Sequence, residues 1–311
     1  MDALFIGHSY IDVTMLAPCL PQGDEKSLAQ DYAVSFGGNA ATAAFCCAKL
    51  GTPPDLLVPM ARDWLAHMFQ DMAATFGLRL HARRVARSSL SFVFPHKGQR
   101  SILRARDDRY LQDFPRLDIS SARLLHLDGH MRDAALHYAK AAREKGVLVS
   151  LDGGTLRPGL LELLDFVDVA IVAMDLCRRM QLSEGEMLDF LLGKGVRVAG
   201  VTDGERGLLW REGDGAPQRQ PALKVPRERI LDTSGAGDVF HGAYCASYLE
   251  RPEAPWREHF DFARAASAFK VQHLGNEAGL PSKADIALAQ KRLGGAACLG
   301  ERVPETDALE R

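Results

Sequence analysis

The sequence predicts an α/β fold: a central, mostly parallel sheet flanked by helices as an αβα sandwich, with a small second sheet as a lid. Three observations carry the prediction. From about residue 123, apolar runs of strand length alternate with amphipathic segments of helix length. Strands separated by helices in this way pair in parallel, because the helix is the crossover. Two strand pairs, near 13–36 and 88–106, fall outside the alternation and are expected to form the lid.

The elements follow in order. A short apolar strand, Ala3 to Ile6, ends at Gly7. "DYAVSFGG" alternates like a strand, and the Ala-rich run behind Gly37 and Gly38 reads as a buried helix closing at Gly51. "SLSFVFPHKGQRSILRAR" reads as two strands about an "HKGQ" turn. "RLLHLD", "VLVSLD", "VDVAIVA" and "VRVAGVT" are strands, separated by the helices "DAALHYAKAAREKG", "PGLLELLD" and "EGEMLDFLLGKG". "GLLWREG" and "PALKVP" read as a hairpin-like excursion. Helices near 235–250, 256–271 and 283–292 finish one body spanning 1–293, and 294–311 read as a solvated, disordered tail.

Composition narrows the function. Apolar residues at 47% allow a sizeable core, and a formal charge of -2 offers no basic surplus for nucleic acid. No segment approaches the roughly 18–20 continuous apolar residues of a membrane span, and "MDALFIGHSY" lacks the form of a signal peptide. The six cysteines form no C-x-x-C pair, so reduced, buried thiols in a cytoplasmic protein are expected rather than a zinc site.

The chemistry concentrates in "LDTSGAGDVFHGAY", residues 231–244. Gly235, Ala236 and Gly237 leave backbone N–H groups uncovered at the mouth of a helix, whose N-terminus favours negative charge. That suits a phosphate. Asp238, ionised beside it, can accept a proton from an attacking hydroxyl, and the two together describe phosphoryl transfer to an alcohol. An N-capping aspartate in a tight turn is the plainer alternative. The chain has no G-x-x-x-x-G-K-[ST] loop and no G-x-G-x-x-G after its first strand, which argues against P-loop enzymes and dinucleotide oxidoreductases.

"DTSGAGDVFHGA" closely resembles the C-terminal signature of the ribokinase-like (PfkB) carbohydrate kinases, and "FGGNAATAAFCCAKLG" resembles their N-terminal glycine signature. The resemblance spans nearly the whole chain. Within the family, the segments 7–26 and 220–244 look most like sulfofructose kinases, with ketohexokinases next. The resemblance implies that Asp238 is the catalytic base and that the backbone of Gly235, Ala236 and Gly237 is its anion hole. It implies that Asp12, Gly38 and Asn39 hold sugar hydroxyls. Thr202, Gly204 and Gly207 in "VTDGERG", and Gly275 and Gly279 in "HLGNEAG", would lie near the nucleotide or a monovalent cation such as K+. MgATP as co-substrate and a homodimer formed through the lid are implied in the same way. Asp12 as a turn cap, Asn39 as a helix cap, and Gly204 and Gly207 as hairpin glycines are the plainer alternatives.

Departures from the pattern bear on the metal and the substrate. The family's N-x-x-E motif is missing: Ala173 and Leu176 take its places and Asp175 is the nearby acid, so the magnesium ligands are unknown. The D-x-N-x-R segment is altered to "DGGTLR", with Asp152 at its head. Lys26 falls where sulfofructose kinases carry a sulfonate-contacting lysine, and Arg104 and His130 replace other substrate contacts. Arg100, Arg104 and Arg106 share one face of a strand, which suggests an acidic sugar; ion pairing is the alternative. His126 and His130 are not expected to bind metal, and His241 reads as a packed residue. The acceptor stays open among a ketohexose, an acidic or sulfonated sugar and a nucleoside. A catalytically weak nucleotide- or sugar-binding regulator on the same fold is the competing class.

Overall fold

The computed structural model describes residues 1–96 and 99–294. The chain opens with β1 (Ala3–Ile6), enters the lid with β2 (Tyr10–Leu16) and β3 (Asp31–Gly37), and returns as α1 (Asn39–Lys49). β4 (Asp55–Met60), α2 (Trp64–Thr75) and β5 (Arg79–Arg84) precede the second pair of lid strands, β6 (Leu90–His96) and β7 (Gln99–Ala105). The regular alternation then runs β8 (Leu124–Leu127), α3 (Arg132–Lys145), β9 (Leu148–Gly153), α4 (Leu160–Leu163), β10 (Val169–Ala173), α5 (Met174–Met180), α6 (Glu184–Gly193) and β11 (Val198–Thr202). β12 (Leu208–Glu212), β13 (Gln218–Gln220), α7 (Ala236–Glu250), α8 (Trp256–Lys270) and α9 (Lys283–Leu293) complete it.

The main sheet has the order β13-β12-β11-β10-β9-β8-β1-β4-β5. From β11 through β5 every pairing is parallel; β12 and β13 add an antiparallel edge. Strand alternation feeds two cores. In β1, Ala3 and Phe5 pack towards α1, α2, α7 and α8, while Leu4 and Ile6 pack towards α3, α4 and α6. The chain reverses its winding at β1, the place where an open α/β sheet offers a crevice at its carboxyl edge.

The lid sheet has the order β3-β2-β6-β7. Its inner face carries a polar row across all four strands, Ser35, Asp12, Ser91 and Arg104. The opposite face carries Val34, Val13, Phe92 and Leu103 in the next row.

Several sequence expectations move. β4, α2 and β5 lie between Gly51 and the second strand pair, where no element was assigned from the sequence, and α5 begins within the segment where an N-x-x-E motif would fall. The second hairpin strand is β13 at 218–220, and "PALKVP" is irregular. The tip of the "HKGQ" turn and the tail expected at 294–311, beyond Gly294, lie outside the described residues, as does Cys298. Cys46, Cys47, Cys177 and Cys245 are buried thiols as expected, whereas Cys19 is exposed. Among the described residues no helix is long and apolar enough to cross a membrane.

Candidate active site

The carboxyl edge of the parallel strands brings predicted and unpredicted residues into one line. In sheet order it presents Thr202 at the end of β11, Ala173 at the end of β10, Asp152 in β9, Asp128 after β8 and His8 after β1. Asp238 joins this line from the first turn of α7.

The turn before α7 has the geometry an anion needs. Gly235 is the N-cap at φ 74, a left-handed backbone conformation that favours glycine, and a Cβ there would collide with Oδ1 of Asn276. Gly237 faces open space. The first-turn N–H groups have no intrahelical acceptor by the geometry of a helix start. Asp238 is half-buried, and its carboxylate accepts no hydrogen bond among the described residues. Burial raises its pKa, and the neighbouring Asp152 carboxylate raises it further, against the pull of Arg100 and Arg104.

Asp152 is 6% exposed and accepts a hydrogen bond from Asn39 Nδ2 at 2.9 Å. Asn39 therefore does not cap α1; Gly38 is the N-cap, and its side-chain position is filled by the carbonyl of His8. Burial raises the Asp152 pKa, the Asn39 bond opposes this, and Asp128 adds to the rise. Beneath it His241 Nε2 stands 3.6 Å from Oδ1, and its Nδ1 is 3.0 Å from the Tyr244 hydroxyl. Burial lowers the His241 pKa to about 3, so the ring is a neutral packed group as expected.

α1 and α7, the two helices carrying the glycine signatures, pack face to face. Gly242 lies one turn below Asp238, where a Cβ would collide with the Ala43 carbonyl and sit 2.7 Å from the Cys46 Cβ. Small residues on both helices are what allow this approach, and at the head of α7 Asp238 lies near enough to Asp152 to feel its charge.

The lid supplies the opposite wall. Asp12 Oδ1 accepts from Ser91 Oγ at 2.8 Å and Oδ2 from Asn276 Nδ2 at 3.2 Å. Burial raises its pKa, and the Ser91 bond opposes the rise. Arg104 lies 5.2 Å over the Tyr10 ring, and Arg100 Nη1 donates to the Thr233 carbonyl at 2.8 Å, tying the lid to the glycine turn. Arg106 pairs with Asp108 at 2.8 Å. His130 is held through Nδ1 by Asp128 Oδ1 at 3.0 Å. His126 instead meets Ser150 Oγ at 2.9 Å, so the two histidines do not share a ligand site. Lys26 is exposed in the connection between β2 and β3 and joins none of these contacts among the described residues.

Four residues were missed in the sequence. Asp128 is 2% exposed and accepts from the N–H groups of His8 and Ala40, both at 3.2 Å, and from His130. Burial alone would raise its pKa, but His130 and Arg157 hold it well below the carboxylate range. Its signal was an acid at the end of the strand "RLLHLD". Arg157 is half-buried, and Asp128, Asp152, His8 and Tyr10 all feel its charge. Among the described residues neither Arg157 nor Arg104 has a carboxylate within 4.0 Å. Asn276, 4% exposed, also donates to the Phe36 carbonyl at 2.8 Å and locks the loop after α8 to the lid. Lys270, at the end of α8, is fully buried.

The glycines expected near a nucleotide divide. Thr202 ends β11 and its hydroxyl donates to the Val172 carbonyl at 3.3 Å; Gly204 opens the turn behind it with space around it. Gly207 is required by close packing against Gln220 and Pro221 of the edge, as a hairpin glycine would be. Gly275 packs against Ala33 of the lid, and Gly279 against the stem of Lys270. Among the described residues no group of three or more His, Cys, Asp or Glu could hold a resident metal. Asp175 is engaged by Arg179 at 2.6 Å and Thr155 at 3.2 Å.

Comparison with known proteins identifies the family and the fold. A model of the pfkB family carbohydrate kinases matches residues 2–283. A ribokinase of Lactococcus lactis is 24% identical over 303 residues, covering 93% of this chain and 96% of that protein. The crystal structure of a ribokinase from Thermotoga maritima superposes with a TM-score of 0.79 at 21% identity, covering 94% of this chain and 99% of that one. The structure of Arabidopsis thaliana ribokinase complexed with ribose and ATP gives 0.76 at 23% identity, covering 93% and 98%.

Proposed function

The chain belongs to the pfkB family of carbohydrate kinases, ATP-dependent enzymes acting on sugars, and from that premise we propose a role for each residue and a class of acceptor. The sugar lies between the polar inner row of the lid and the edge presented by β1 and β8, held by Asp12, Gly38 and Asn39. The triphosphate lies towards Thr202 and Gly204, with the loop carrying Gly275 and Gly279 closing behind it. Asp238 stands between the two. It takes the proton from the acceptor hydroxyl, whose oxygen attacks the γ-phosphorus, and ADP leaves. The N–H groups of the 235–237 turn receive the charge on the transferring group. The observation that carries this reading is the unpartnered Asp238 carboxyl in the first turn of α7, near enough to Arg104 and Asp12 of the lid to feel their charge.

Magnesium would come with ATP and would supply positive charge against its phosphates. A phosphate-bound magnesium needs only one or two protein carboxylates, and Asp152 at the same edge fits that need. On the back of the lid Val13 and Phe92 are half-buried and Leu103 is 70% exposed, an apolar surface that supports a homodimer through this face.

The acceptor is a sugar bearing an anionic group. Arg104 and Arg157, both without a carboxylate partner among the described residues, flank Tyr10 with Arg106. Unpaired guanidinium groups beside a sugar site suit a carboxylate, sulfonate or phosphate. The test is ADP release from MgATP across neutral ketoses, aldoses, sugar acids, sulfosugars, sugar phosphates and nucleosides. One anionic class is expected to give the highest kcat/KM, and Arg104→Ala or Arg157→Ala to lower it by about tenfold or more, the scale of one charged hydrogen bond. A neutral ketose turned over best and unaffected by both variants contradicts the acidic acceptor while leaving the kinase. ATP binding without turnover of any sugar favours the weak regulator.

A further inference from the structure

Lys270 is a fully buried cation behind the glycine turn, and its oxygen partners are unusual for a lysine. Nζ donates to the Asp232 carbonyl at 3.2 Å, to Asp232 Oδ2 at 3.3 Å and to the His273 carbonyl at 3.3 Å. Two of these are backbone oxygens of two different loops. One loop, 231–235, runs into the anion turn; the other, 273–279, locks onto the lid through Asn276. The same Asp232 carboxylate accepts from Ser234 N–H at 2.8 Å and Gly275 N–H at 3.1 Å. Ammonium and carboxylate are both 0% exposed, so one charge pair rivets both loops.

The neighbouring glycines are cut to fit this side chain. A Cβ on Gly279 would overlap Cδ of Lys270, and a Cβ on Gly235 would lie 3.6 Å from Cε. The stem therefore runs directly beneath the 235–237 turn.

The family resemblance leads one to expect a dissociable monovalent cation on this loop, and the residues present do not fit one. Its carbonyl and carboxylate oxygens are already held by an ammonium, and a second cation within a few ångströms in a buried site would meet strong repulsion. We propose that Lys270 is a tethered monovalent cation, a positioning residue that orders the 231–237 turn and makes the enzyme independent of potassium. This rests on the kinase reading only for its rate measurements.

The test uses the full chain in buffers whose sole monovalent cation is K+, Na+ or tetramethylammonium at one ionic strength. For the wild type, Tm and, with whichever acceptor turns over, kcat should be the same in all three, within about twofold for the rate. A Tm raised by K+ reports a cation bound to the folded state and overturns the proposal, with or without turnover. So does a rate that K+ raises tenfold or more. Lys270→Ala vacates the oxygens. Its Tm should fall and be partly restored by K+ or NH4+ but not by tetramethylammonium, and its kcat should fall at least about tenfold with the same pattern of rescue. A purely structural lysine would show no dependence on cation size, and a Lys270→Ala protein with wild-type kcat in tetramethylammonium contradicts the assignment. Should that variant fail to fold, the wild-type cation series still decides.

Discussion

At the scale of single residues, the site rests on carboxylates kept from their ordinary behaviour. Asp238 is pushed above the usual value of 3.8 by burial and then by Asp152. A raised pKa means that the base form is lost on acidification at a higher pH than for a free carboxylate. The acid limb of kcat/KM should therefore lie well above that value. Asp152→Asn removes one of the charges responsible, so the limb should move to lower pH, by a fraction of a unit up to about one unit. A pH–rate profile whose limb stays fixed or rises in the variant contradicts the coupling. Gly38 and Gly235 were legible because the backbone there requires glycine, and Asp238 and Asp12 because they stand in or beside short motifs. Asp128, Arg157, Asn276 and Lys270 act through partners a hundred or more residues away or across a loop, and no local pattern reveals such pairings.

At the scale of elements, the two signature helices are one device. α1 and α7 approach closely because Gly242 faces Ala43 and Cys46, and this contact fixes the height of Asp238 over the sheet edge. Gly242→Ala forces a methyl into the Ala43 carbonyl and should cost about 1–3 kcal/mol by overpacking. Gly185→Ala on α6, where a Cβ meets open space, should be neutral or slightly stabilising. Thermal unfolding of the two variants checks this; equal Tm values contradict the close packing of α1 on α7. The later strands were legible because full burial on both faces makes them continuous apolar runs. β4, α2 and β5 were not, because Pro53, Pro54 and Pro59 and the mixed face of "WLAHMFQDMAAT" interrupt both periods. β13 was misplaced onto "PALKVP" because an edge strand, "QRQ", carries almost no apolar signal.

At the scale of the molecule, two sheets meet along one crevice. The parallel sheet contributes Asp152, Asp128 and the α7 turn, and the lid contributes Asp12 and Arg104. Arg100 on Thr233 and Asn276 on Asp12 and Phe36 hold the two together, so the site is complete only when lid and body are in register. The division into body and lid was readable from strands that broke the alternation; the contacts across the crevice were not. The account turns on the base in that crevice. The deciding measurement is kcat for Asp238→Asn, by ADP release from MgATP with the best acceptor, alongside ATP binding by the same protein. The account predicts a loss of at least ~10²-fold in kcat with ATP binding kept. Near-normal turnover by that variant would contradict it.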